Sequence, residues 1–115
     1  MKKIFDSFVF AWKGLKVTWR EENNFRIEVL VGLLVIFCLF YFSFSFVESA
    51  LCVMAIILVL SAEIINTAVE DLCNKIESNH DPVIEKIKDV MATFVLVSVL
   101  GAFIVGLIVF YHHFI

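Results

Sequence analysis

The chain offers few breaks: one proline, Pro82, and four glycines in 115 residues, with no linker, low-complexity tract or internal repeat. It reads as a single domain over residues 1–115. Lysine and arginine are missing between Arg26 and Lys75 and again after Lys88. Cysteines are scarce too. Cys38, Cys52 and Cys73 have no paired spacing, which argues against a zinc site and suits reduced, packed thiols. The N-terminus does not read as a signal peptide, because charges are scattered through residues 2–28 and no apolar core precedes them. What is abundant is hydrocarbon. Hydrophobic residues make up 62% of the chain, against about 45–50% in soluble domains. The composition is that of an integral membrane protein, and a net charge of −3 does not suggest a nucleic-acid partner.

Three stretches are long enough to span a bilayer, which takes about 20 apolar residues. They are expected at about 27–47, 49–73 and 89–112. A fourth helix is expected at about 3–21 and is different in kind. Ile4, Phe5, Phe8, Trp12, Leu15 and Trp19 step by threes and fours along one face, with Lys2, Asp6, Lys13, Lys16 and Arg20 opposite. That pattern suits the membrane surface better than a soluble core. The fold class is thus an all-α membrane protein, an amphipathic surface helix plus three transmembrane helices. All nine Lys and Arg lie at residues 2–26 or 75–88. This places the N-terminus and the second loop in the cytoplasm and the C-terminus outward. Asp81-Pro82 reads as an N-cap followed by proline at the first helical position.

Against this background three polar residues stand out in SAEIINTAVEDL: Glu63, Asn66 and Glu70. An ionisable group at bilayer depth costs roughly 2.5–3.5 kcal/mol on insertion scales. At about 100° per residue Glu63 and Glu70 fall within about 20° of each other, with Asn66 about 60° round. Glu63 lies about 10 Å deeper along the axis. Carboxylates near the surface suit Mg²⁺, which favours oxygen ligands and substrate phosphates. A deeper one can take a proton from a lipid hydroxyl at the bilayer boundary. Glu21, Glu22 and Glu28 stand near the entrance of the first span, and Lys88 offers positive charge to an anionic phosphate. These are parts for phosphoryl transfer, yet there is no GxxxxGK[ST], GxGxxG or HRD sequence. The residues alone leave a lipid kinase and a small proton-coupled transporter subunit both open, with helix-locking as the bland reading.

The string EIINTAVE at 63–70 resembles the signature of the bacterial membrane diacylglycerol kinase and undecaprenol kinase family. Further matches are AWKGL at 11–15, ENNFRIE at 22–28, HDP at 80–82 and IKD at 87–89. The resemblance implies a homotrimer of three-span subunits in the bacterial cytoplasmic membrane. It implies transfer of the γ-phosphate of MgATP to a lipid alcohol, with diacylglycerol or undecaprenol as the acceptor. Carried over by position, Glu63 is the catalytic base, with Glu28 and Asn66 beside the lipid. Glu22 and Glu70 are the Mg²⁺ ligands. Lys3, Phe10, Glu22, Glu70, Asn79, His80, Asp81, Lys88 and Asp89 are the ATP contacts.

Some positions depart from the family pattern. Lys3 stands where some members have a phosphate-binding arginine, keeping the charge without the fork. Ala11 replaces a serine of some members, Asn74 an aspartate of many, and Met91-Ala92-Thr93 a string richer in Ala and Gly. Glu28 leans toward diacylglycerol, since many undecaprenol kinases have His there. The HDP and NTAVE wording leans the other way.

Overall fold

A computed structural model describes residues 1–76 and 81–115. It holds four helices in chain order: α1 (Lys2–Glu21), α2 (Asn23–Tyr41), α3 (Phe46–Ile76) and α4 (Pro82–Phe114). α2, α3 and α4 are each long and apolar enough to cross a membrane. α2 has 19 residues, about 28 Å of helix, close to the hydrocarbon thickness. α3 and α4, with 31 and 33 residues, are longer than that thickness.

α1 keeps its apolar face uncovered. Phe5, Phe8 and Trp12 are all exposed, so this helix does not serve as a core element. It turns directly into α2 through Glu22, whose extended backbone (φ −108°, ψ 104°) is the one break between the two helices. Thr18, buried near this corner, returns its hydroxyl to the Gly14 carbonyl at 3.0 Å.

The uncharged run continues to Val47, but α2 stops at Tyr41. The reason is local hydrogen bonding. Ser43 takes a positive φ of 53°. The Ser43 amide donates to the Phe40 carbonyl and the Phe44 amide to the Leu39 carbonyl, the Schellman arrangement. Phe44 then packs on the cluster of Leu39, Cys52 and Val109. Immediately after, Ser45 and Glu48 form a capping box for α3: the Ser45 amide donates to Glu48 Oε1 (2.8 Å) and the Glu48 amide to Ser45 Oγ (3.1 Å). At the other loop Asp81 caps α4 as expected, accepting from the Val83 and Ile84 amides at 2.9 and 3.1 Å.

α3 packs most extensively on α4, with α2 against α3 and α1 touching α2 and α3. α2 and α3 approach closely at buried Gly32, where an added Cβ would lie 3.1 Å from Ile56 Cγ2. Ile56 is β-branched and held in one helical rotamer, so it yields little. Gly32→Leu is therefore expected to lower stability by about 1–3 kcal/mol, measured by SDS-induced unfolding in micelles. Gly101→Leu, where an added Cβ meets nothing within 4 Å, is the matched control and is expected to leave the midpoint in place.

Candidate functional site

The α1–α2 corner, the first turns of α2 and the later half of α3 bring carboxyl groups together. Glu63 is 1% exposed, although it sits in an apolar helix. α3 turns it inward along with Ala62 and Thr67, both buried. The Thr67 hydroxyl donates to the Glu63 carbonyl at 2.9 Å, which leaves the Glu63 carboxyl to face α2. There it meets Glu28: the two carboxyls are hydrogen-bonding neighbours. The second oxygen of Glu28, Oε2, is buried with no protein partner. A buried polar oxygen left unpaired costs about 1–3 kcal/mol, a penalty that an incoming hydroxyl would remove.

One to two turns toward the α1–α2 corner a second pair forms. Glu22 and Glu70 lie within hydrogen-bonding reach of each other, and Asn66 Nδ2 points to Glu70 Oε1 at a long 3.5 Å. Burial, then the contact with Glu70 and its charge, then the charges of Glu63 and Glu21, push the Glu22 carboxyl up to about 7. Beside it Glu21 is also raised, by desolvation first and then by Asp71. This is a concentration of acidic groups, with the Arg20 charge acting only on Glu21 from the end of α1. Hard oxygen donors so arranged suit Mg²⁺, which binds through one or two carboxylates and fills its remaining positions with water and phosphate. Among the described residues no group of three or more His, Cys, Asp or Glu side chains is arranged to enclose a metal alone. The pair therefore fits a cation shared with a phosphate ligand better than a closed protein cage.

Lys88 reaches across from α4 to the same stripe. Its Nζ donates to Asn74 Oδ1 at 2.7 Å. Asn74, the departure from aspartate, thus still ties α3 to α4. Asp89 is exposed, and its carbonyl accepts from Thr93 Oγ1 at 3.1 Å. Asp81 is engaged as the α4 cap. Lys3 and Phe10 stand on exposed stretches of α1. The Lys3 carbonyl accepts from Ser7 Oγ, and Lys13 Nζ lies 5.7 Å over the Phe10 ring. Asn79 and His80 lie outside the described residues. The structure thus gathers Glu22, Glu28, Glu63, Asn66 and Glu70, with Lys88 at the edge. Neither the Glu28–Glu63 contact nor the Asn74–Lys88 bridge was visible in the sequence.

The sequence profile of prokaryotic diacylglycerol kinases matches residues 9–110. The chain belongs to that family. Among similar proteins are the undecaprenol kinase of Bacillus subtilis (strain 168), 32% identical over 96% of this chain and 89% of the relative, and the diacylglycerol kinase of Escherichia coli (strain K12), 28% identical over 97% of this chain and 92% of the relative. A diacylglycerol kinase of Helicobacter pylori (strain J99) is 29% identical over 91% of this chain and 83% of the relative. With three spanning helices, this member of the family is a multi-pass membrane protein. The carboxylate cluster lies wholly within the matched segment.

Proposed function

We propose that this lipid kinase transfers the γ-phosphoryl group of MgATP to the hydroxyl of diacylglycerol, yielding phosphatidic acid, at the boundary between bilayer and cytoplasm. The observation that carries the reading is the two-level carboxylate arrangement. A buried acid, Glu63, lies against Glu28 within the helix packing, and a paired acid set, Glu22 and Glu70, lies at the helix corner. Glu63 accepts the proton of the lipid hydroxyl as its oxygen bonds to the γ-phosphorus and the bond to ADP breaks. Glu28 and Asn66 hold the hydroxyl end of the lipid. Glu22 and Glu70 would hold Mg²⁺, which when bound neutralises phosphate charge. Lys88 and Asp89, with Lys3, Phe10, Asn79, His80 and Asp81, form the nucleotide side of the site by family resemblance.

An apolar cleft of about 510 Å³ runs from Glu28 past Gly32, Val59, Phe103 and Gly106 to Phe110. It gives the lipid's hydrocarbon a path that reaches Glu28, the neighbour of Glu63. The distribution of Lys and Arg supports a cytoplasmic N-terminus and an outward C-terminus, and the family resemblance supports a place in the bacterial cytoplasmic membrane. Homotrimeric assembly rests on the family resemblance. The 32% identity to a protein named undecaprenol kinase favours a second reading, in which the acceptor is that polyprenol. Purified protein in mixed micelles with γ-labelled ATP, Mg²⁺ and each lipid separates the two. Label on diacylglycerol alone is the expected result. Label on undecaprenol alone replaces the acceptor, and label on neither removes the kinase reading.

A further inference from the structure

At the opposite end of the bundle, about 22 Å along α3 from Glu63, a second buried carboxylate has a different setting. Glu48 is 8% exposed. It is the only charged residue between Glu28 and Glu63, and no charged residue follows Asp89. An ionised carboxylate so buried needs donors. The Ser45 amide donates to Oε1 at 2.8 Å, His113 Nδ1 lies 3.1 Å from the same oxygen and His112 Nδ1 lies 3.0 Å from Oε2. The other ring nitrogen of His113, Nε2, lies 3.0 Å from the Phe42 carbonyl. The Phe44 ring stacks on His113 at 3.9 Å and 8°.

These contacts constrain the protons. A carbonyl oxygen only accepts, so Nε2 must carry a hydrogen. The contact between Nδ1 and Oε1 also needs one, and because Oε1 already accepts from the Ser45 amide it belongs on Nδ1. A neutral imidazole beside an ionised carboxylate supplies only one hydrogen for the two contacts. One of them would then set lone pair against lone pair at hydrogen-bond distance. His112 does not face this conflict, because only its Nδ1 is engaged and its side chain is 80% exposed.

We propose that Glu48 and His113 form a proton-dependent latch, which ties the end of α4 to the α2–α3 turn and to the start of α3 only while an extra proton is held between them. The titratable side chains facing it are Glu48 from α3 and His112 from α4. Cys52 lies one turn further along α3. Tyr41 of α2 and Tyr111 of α4 are exposed, and α2 contributes the Phe42 carbonyl. Losing the proton removes one of the three ties at His113 and weakens its hold beneath the Phe44 ring, which also packs on Phe110 at 4.9 Å. Phe110 and Cys52 line the far end of the apolar cleft, so opening the latch loosens that end. The latch does not depend on the kinase chemistry.

The test uses the full chain in nanodiscs of neutral phospholipid. Side-chain ¹⁵N spectra are assigned with His112→Gln and His113→Gln. At about pH 5.5, His113 is expected to show both ring nitrogens protonated, and near pH 8.5 only one. Hydrogen-exchange protection of residues 106–114, corrected for intrinsic rates, is expected to fall about tenfold over that range. It is expected to fall equally in His112→Gln and to be flat in His113→Gln. A single ring proton on His113 across the whole range overturns the latch, as does an equal fall in His113→Gln. If that variant does not fold, the wild-type spectra decide alone.

Discussion

Replacing Glu63 with glutamine is expected to lower kcat by about 10²–10⁴-fold, the usual contribution of a general base, while leaving MgATP affinity near its starting value. The split between the two quantities is what makes the test specific. Glutamine has the shape of glutamate and can donate to Glu28, so the buried position stays filled and the α2–α3 contact survives. The Thr67 hydroxyl bonds to the backbone of residue 63, not to its side chain, and that tie is untouched. What is lost is the capacity to accept a proton. Glu22, Glu70 and Lys88, the groups proposed for the phosphate side, belong to other turns and helices and keep their settings. Steady-state kinetics with lipid and ATP varied separately, alongside equilibrium nucleotide binding, gives both numbers. Turnover within a few fold of wild type would move the base elsewhere, with Glu28 next in line by contact. A parallel loss of nucleotide affinity would make Glu63 a structural residue.

The four helices were legible because each carried its own signal. α1 has apolar residues at threes and fours, the spans have uncharged length, and Asp81-Pro82 marks the start of α4. The polar stripe on α3 was legible because it interrupts hydrocarbon. Its partner on α2 was not. Beyond Glu28, α2 is apolar around its whole circumference. The polar residues of its first turns, Asn23, Asn24, Arg26 and Glu28, point to several faces, so no wheel fixes which face meets α3. The contact of Glu28 with Glu63 depends on that rotation. The end of α2 was hidden for a related reason. Hydropathy stays high through Phe46 and Val47, and only the Ser45-x-x-Glu48 capping pattern marks the new start. Glu48 with His113 is a contact between residues 65 apart in the chain. The sequence showed two histidines at the expected end of a span, where polar residues are ordinary. Only packing showed that one of them has both nitrogens engaged.

Neutralising the upper pair, by Glu22→Gln and Glu70→Gln, is expected to lower kcat and raise the Mg²⁺ concentration for half-maximal activity, each by about tenfold or more. Two carboxylates holding one cation act as a unit, so the double variant is expected to lose less than the product of the single losses. A second measurement does not depend on turnover. The Glu22 carboxyl is raised from 4.5 to about 7 in the folded protein, so between those values the folded state holds a proton that the unfolded state releases. The stability linked to Glu22 is therefore fully present below about pH 4.5 and lost as pH rises through about 7. Without divalent cation, the wild-type melting temperature is expected to decline across that window, and less steeply in Glu22→Gln. Mg²⁺ stabilises only the state with ionised ligands, so it is expected to raise the melting temperature more at pH 8 than at pH 6. Circular dichroism melts in micelles, with and without Mg²⁺, measure both slopes. Equal Mg²⁺ stabilisation of wild type and the double variant would place the cation away from Glu22 and Glu70. The raised Glu22 carboxyl would then reflect crowding of acids at the α1–α2 corner and not a cation-binding pair.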